Sequence, residues 1–256
     1  EVSDRPDTLI TTLLSEKQGI VSSSGELWKE HRKFALTTLR MFGFGRTSLE
    51  GKICTEVSIL LSEIVKQNEK PFRIQDLVET SVSNVISAMV FGGNFNHGNP
   101  RFAKIMESIN ESMETIGSNN VGVFFPFLRY LPGDLFSVKK MLRNERFLHE
   151  YIADLTDKQI ESFDESKMEH FVDAFLLKMK NNRDQKYSSF TKKQLIKTVR
   201  DLFAGATEST TTTINWAVLY LAAKQDIQSR VFYEINEIVG TERLPSLQDK
   251  PNLVYT

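Results

Sequence analysis

The sequence predicts an all-α protein, and three features carry that reading. Apolar residues recur at spacings of three and four along most of the 256 residues, the period of helices with one buried face rather than of alternating strands. Hydrophobic residues make up 40% and charged residues 25% of the chain, a balance that supports an ordered core. A chain of this length buries such a core without staples, and Cys54, its only cysteine, allows no intramolecular disulfide, Cys-based zinc site or Cys-x-x-Cys pair.

The elements follow in order. Residues 26–40 place Leu27, Phe34 and Leu39 among Lys29, Arg32 and Lys33, and the glycines of MFGFG at 41–45 end the helix. A second helix over 49–67 carries Ile53, Val57, Leu60, Leu61 and Ile64 on one stripe. A third over 75–90 turns Leu77, Val78, Val82, Val85, Ile86 and Met89 inward and closes at Gly92 and Gly93, before the loop GGNFNHGNP. Helical spacing resumes over 102–116, then yields to VGVFFPFLRYLPGDLF at 121–136, where two prolines interrupt an aromatic run. Further helices are expected over 139–162 and 170–180. The longest, opened by Thr191 as N-cap, runs to Ala223, and the last spans 226–239 and stops at Gly240.

Charge and termini narrow the function classes. With 32 Lys and Arg against 33 Asp and Glu, no net field gathers nucleic-acid phosphates, so an electrostatic partner needs a local patch. No stretch reaches the roughly 20 apolar residues of a membrane-spanning helix, and EVSDRPD lacks the features of a signal peptide. The start without Met and the end at NLVYT lead us to expect that both ends are cut.

Two motifs stand apart from packing. On the long helix, Leu195, Val199, Leu202, Ala206, Thr210, Thr213, Ala217 and Leu221 keep helical spacing, yet its centre, AGATESTTTT at 204–213, is rich in hydroxyls and contains Gly205. Thr, Ser and Gly are mediocre helix formers, so a second requirement is implied. Small residues admit a flat ligand to the backbone, hydroxyls bonding back to carbonyls can open the helix locally, and Glu208 adds a titratable group for proton relay. A tight helix crossing with a polar stripe explains the same residues equally well. In WKEHR, Trp28 and Arg32 share a helix face at i, i+4 and offer an indole N–H and a guanidinium fork to one anion. A core Trp beside a surface Arg is the plainer alternative.

Taken in order, GIVSSSGELWKEHRKFALTTLRMFGFG, KPFRIQDLVETSVSNVISAMVFGGNF, FPFLRYLPGD, EHFVDAFLLKM, DLFAGATESTTTTINWAVLYLAAKQDIQSRVFYEINEIVG and DKPNLVYT resemble the microsomal cytochrome P-450 family, most closely its family-2-type members. The resemblance covers the whole chain and implies a partial catalytic domain over 1–256, running from the C to the J helix of that fold. It implies a haem-dependent monooxygenase acting on a small apolar substrate, with electrons from NADPH through a reductase, at the cytoplasmic face of the endoplasmic reticulum membrane.

Carried over residue by residue, the likeness assigns Trp28 and Arg32 to a haem propionate and Gly205 and Ala206 to the haem-facing stretch. Glu208, Ser209 and Thr210 become the proton-relay candidates. Two positions depart from the commoner pattern: Ala206 stands where Gly is usual, and Ser209 where Thr is usual. Val21, Ser22, Ile109, Met113, Ile116, Phe203 and Ala204 are the substrate-facing candidates. Lys29, Lys33 and Arg40, with Arg46, form a basic group suited to an acidic reductase, and Val123, Phe124, Phe125, Phe127 and Leu128 form a membrane-dipping patch. Cys54, in GKICTEV on an early helix, lacks the glycine- and arginine-rich surroundings of a thiolate ligand, so the axial Cys is expected outside this chain and no metal ligand within it. The four histidines, His31, His97, His149 and His170, sit in no ligand spacing and are expected at the surface or in polar contacts. The rival reading is a non-catalytic helical module, its Thr-rich helix a packing seam and its basic helix a site for an acidic protein.

Overall fold

The computed structural model describes residues 4–45, 49–93, 100–117, 121–182 and 188–256, and among these every regular element is helical. The helices are α1 (Gly25–Met41), α2 (Glu50–Val65), α3 (Ile74–Val90), α4 (Pro100–Gly117), α5 (Val121–Phe124), α6 (Val138–Glu161), α7 (Phe171–Asn181), α8 (Lys192–Ala223) and α9 (Gln225–Ile238). A π-helical turn, Ile10–Leu14, and a 3-10 turn, Pro126–Tyr130, are additions that no periodicity announced, each being too short to show one. Arg46, His97 and most of the glycine-rich loop after α3 lie outside the described residues.

The axis of the fold is α8, whose 32 residues span about 48 Å. Thr191 caps it as expected: its hydroxyl accepts from Gln194 N at 3.1 Å. α3 and α6 both pack on α8, α4 lies against α6, and α2 against α3. The main core joins α1, α7 and the start of α8 through an aromatic group in which Phe34, Phe175 and Phe190 stand with ring centroids 5.1–5.5 Å apart. A second cluster, with Leu9, Leu14, Val123, Val138 and Met141, fastens the N-terminal segment to α5 and α6.

Several expected faces are corrected. On α2, Ile53 and Leu61 are exposed, while Glu56 is buried and accepts a hydrogen bond from Asn84 Nδ2 on α3 at 3.1 Å. On α8 the buried line is Leu195, Val199, Phe203, Thr207 and Thr211, so Thr210, Thr213 and Ala217 face outward. The reason is the α3 crossing: α3 is lined with buried Ser81, Ser83 and Ser87, and Ser83 Oγ meets Thr207 Oγ1 at 3.4 Å. A polar seam between two helices hides hydroxyls that a hydrophobic pattern assigns to solvent. His31 and His170 take the second of the two expected settings: both are buried and in polar contacts. His31 stacks on Phe175 and Phe190 and holds Ser189 Oγ at 3.1 Å. His170 caps α7, where Asp173 accepts from its backbone N–H.

Candidate functional site

Three helices and an irregular loop enclose a cavity of about 290 Å³. α4 contributes Ser108, Ile109, Ser112, Met113 and Ile116, a single face at spacings of three and four; α6 contributes Met141, Asn144, Glu145 and Leu148; α8 contributes Arg200, Asp201, Ala204 and Gly205. Ile10, Leu14 and Val21 close the remaining side. Five of the seven expected substrate-facing residues thus meet at one cavity: Val21, Ile109, Met113, Ile116 and Ala204. The other two do not. Phe203, one residue from Ala204 and therefore about 100° around the helix, is buried in the main core. Ser22 is turned into a neighbouring groove, where its hydroxyl is buried without a hydrogen-bond partner among the described residues.

That groove, about 500 Å³, is lined by Trp28 and Arg32 from α1 together with Arg5, Thr8, Ile10, Thr11, Ile20, Val21 and Ser22. It shares Ile10 and Val21 with the cavity, so the two spaces adjoin. The Arg32 guanidinium stands 5.3 Å from the centroid of the Trp28 ring, and no carboxylate among the described residues pairs with it. Arg5, which the sequence reading missed because its segment has no periodicity, adds a second guanidinium and donates through Nε to Val21 O at 3.0 Å. Two guanidiniums, an indole and an orphan hydroxyl suit a ligand bearing carboxylates.

On the outward face of α8, Gly205 leaves open space where a Cβ would stand. Ser209 Oγ donates to Gly205 O at 2.7 Å and Thr213 Oγ1 to Ser209 O at 2.8 Å. These are the expected back-bonds, but the helix stays α-helical throughout rather than opening. Glu208 is half-buried and accepts from Thr212 Oγ1 at 3.2 Å. Thr210 is exposed on a different face from Ser209, and Ala206 is half-buried outside the cavity wall. Lys29, Lys33 and Arg40 share the exposed face of α1, where Glu26 pairs with Lys29 at 2.7 Å and Glu30 lies alongside.

A buried ionic network pins the loop carrying Val21 to α8. Asp201 Oδ2 accepts the backbone N–H groups of Ile20 and Val21 at 2.8 and 2.9 Å, and its Oδ1 accepts from Arg200 at 2.7 Å. Arg200 also donates to Glu145 Oε1 at 2.7 Å and Ser15 Oγ at 2.8 Å; Lys197 reaches the same Glu145 oxygen at 2.9 Å and Leu14 O at 2.5 Å. Burial alone would lower the pKa of Arg200, but the carboxylates of Asp201 and Glu145 outweigh it and hold it above the ordinary value. Gly19 completes the joint at φ +81°, exchanging two hydrogen bonds with Gln194. Nothing in the residue pattern announces this network, because isolated charges on charged helices read as solvated.

The sequence of this whole chain, residues 1–256, matches the profile of the cytochrome P450 family. The chain belongs to that family. It is 34% identical over 259 residues to cytochrome P450 2C28 of Mesocricetus auratus, aligning 100% of this chain with 52% of that protein. It is 34% identical over 256 residues to cytochrome P450 2J3 of Rattus norvegicus, aligning 99% of this chain with 50% of that one. Cytochrome P450 2H2 of Gallus gallus is 36% identical over 241 residues, with 93% and 48% aligned. The chain thus spans about half the length of the curated relatives it matches, and its helical architecture is that of the helical part of the P450 fold. No helix among the described residues is long and apolar enough to cross a membrane.

Proposed function

We propose that the protein containing this chain is a haem-dependent monooxygenase, and that this chain supplies its substrate-facing side. The observation that carries the reading is the adjacency of a cavity with an apolar α4 face and a groove suited to carboxylates, through the shared residues Ile10 and Val21. A haem held by Arg32, Trp28 and Arg5 would supply the activation of O₂ needed to insert one oxygen atom into a substrate C–H bond, the other leaving as water with two electrons from NADPH through a reductase and two protons.

The roles of this chain's own residues follow from their placement. Arg32, Trp28 and Arg5 hold the haem carboxylates by charge and hydrogen bonding. Ile109, Met113, Ile116 and Val21 orient the substrate and exclude water, and Gly205 allows close approach to the α8 backbone. Ser209 Oγ donates to Gly205 O and the adjacent Glu208 carboxylate accepts from Thr212 Oγ1, and we assign these two residues to proton delivery. Cys54 lies half-buried on α2 and lines neither space, so we assign the iron's thiolate to a segment outside this chain. Phe124, Phe125 and Phe127, all more than half exposed, with the Phe125 and Phe127 rings in contact, present apolar surface that we assign to the endoplasmic reticulum membrane. Val123 does not belong to it, being buried against α6.

Haem content of the complete protein tests the reading. Arg32→Ala removes a charge-assisted partner of a carboxylate, about 2 kcal/mol, and lowers haem affinity about thirtyfold. Retention equal to that of the unmodified protein would remove Arg32 from the haem site.

A further inference from the structure

The cavity is not apolar throughout. One wall is built from Asn144 and Glu145 of α6 facing Arg200 and Asp201 of α8, all four lining the same space as Ile109 and Met113. Its charges balance, since Lys197 and Arg200 are matched by Glu145 and Asp201. Each of its cationic nitrogens is already directed at a protein acceptor: Lys197 Nζ at Leu14 O and Glu145, and the three Arg200 nitrogens at Asp201, Glu145 and Ser15. Its acceptors are not all taken. Glu145 takes both cations on Oε1, and its Oε2 accepts no hydrogen bond among the described residues. The Asn144 amide is oriented by two acceptors, Glu111 Oε2 at 2.9 Å and Ser108 O at 3.4 Å, which fix its nitrogen and leave Oδ1 open.

From this asymmetry we propose that the substrate is an uncharged, largely apolar molecule carrying one hydrogen-bond-donating group, a hydroxyl, that is read by Glu145 and Asn144. The inference rests on the monooxygenase reading for what happens to the ligand, but not for how the ligand is bound. A carboxylate in the same place would meet Glu145 without a free cation to receive it, and a purely apolar ligand would strip water from two acceptors and return nothing. The cavity volume, about 290 Å³, limits the ligand to a small molecule.

Calorimetric titration of the complete protein, as purified, with para-butylphenol, its methyl ether and para-butylbenzoate tests the proposal. The phenol binds about tenfold more tightly than the ether, which keeps the oxygen and loses the donor. Glu145→Gln leaves the network with a net positive charge, so it reduces that preference and improves binding of the benzoate severalfold. Asn144→Leu leaves the ionic network intact and reduces the preference about threefold, which keeps the test decisive where Glu145→Gln perturbs folding. Equal affinity for phenol and ether, preference of the unmodified protein for the benzoate, or no binding of any of the three overturns the proposal. A phenol preference in a protein that holds no haem would contradict the monooxygenase reading alone; haem binding with equal affinities would contradict the hydroxyl assignment alone.

Discussion

Replacing Gly19 by alanine tests how the loop that carries Val21 is held on α8. Gly19 has φ +81°, and a Cβ there would lie 3.1 Å from Asp201 Cγ, 3.2 Å from Lys197 O, and closer still to Asp201 Oδ2. The left-handed conformation costs an L-residue about 1 kcal/mol. Larger is the displacement of the Asp201 carboxylate, which must release the backbone N–H groups of Ile20 and Val21. Charge-assisted bonds contribute about 1.5 kcal/mol each at the low end, so Gly19→Ala destabilises the protein by about 4 kcal/mol in total. Urea unfolding of the complete protein reads this. In an Asp201→Ala background the carboxylate is already gone, and the same glycine substitution costs only the strain, about 1 kcal/mol; the coupling is therefore about 3 kcal/mol. Equal costs in the two backgrounds would show that Asp201 does not hold the loop and would refute the reasoning.

Two further outcomes follow from burial. Desolvation lowers the pKa of His31, with Glu30 opposing it weakly, so the ring is neutral in the fold and takes a proton more readily when unfolded. Its stabilising contribution is complete above about pH 6.5 and is lost as pH falls toward the depressed folded value, at no more than about 1.4 kcal/mol per pH unit. His149 and His170 are shifted the same way by burial, so unfolding free energies at about pH 7.5 and about pH 5.5 differ less in His31→Gln than in the unmodified protein without vanishing; identical differences would contradict this. At the aromatic patch, Phe124→Ser with Phe125→Ser removes two side chains worth about 1.5 kcal/mol each at an interface, and weakens partitioning of the protein onto phospholipid vesicles about a hundredfold. Unchanged partitioning would place the membrane contact elsewhere.

What was legible in the sequence was set by whether the decisive interaction is local. Helix positions were, because apolar spacing and caps such as Thr191 act within a few residues. The apolar cavity residues Ile109, Met113 and Ile116 were reachable through family likeness, and they do converge. The helix crossing with a polar stripe, one of the two readings the hydroxyl-rich centre of α8 allowed, is found against α3, where Thr207 is buried with its hydroxyl against Ser83, a tertiary contact that hydropathy assigns to solvent. The outward positions of Ile53 and Leu61 arise likewise, since α2 turns Glu56 toward Asn84. Neither Arg5 nor the Asn144, Glu145, Arg200 and Asp201 wall was visible: Glu145 meets Arg200 and Asp201 meets Ile20 only across long stretches of chain, and Arg5 reaches Val21 from a segment with no periodicity.

The absorption spectrum of the complete protein, reduced under carbon monoxide, tests whether this chain forms the substrate-facing side of a haem-thiolate enzyme. The expected result is the long-wavelength Soret band of a carbon monoxide complex on thiolate-ligated haem. A protein that binds no haem, or one whose Soret band is that of a histidine-ligated haem, would contradict it.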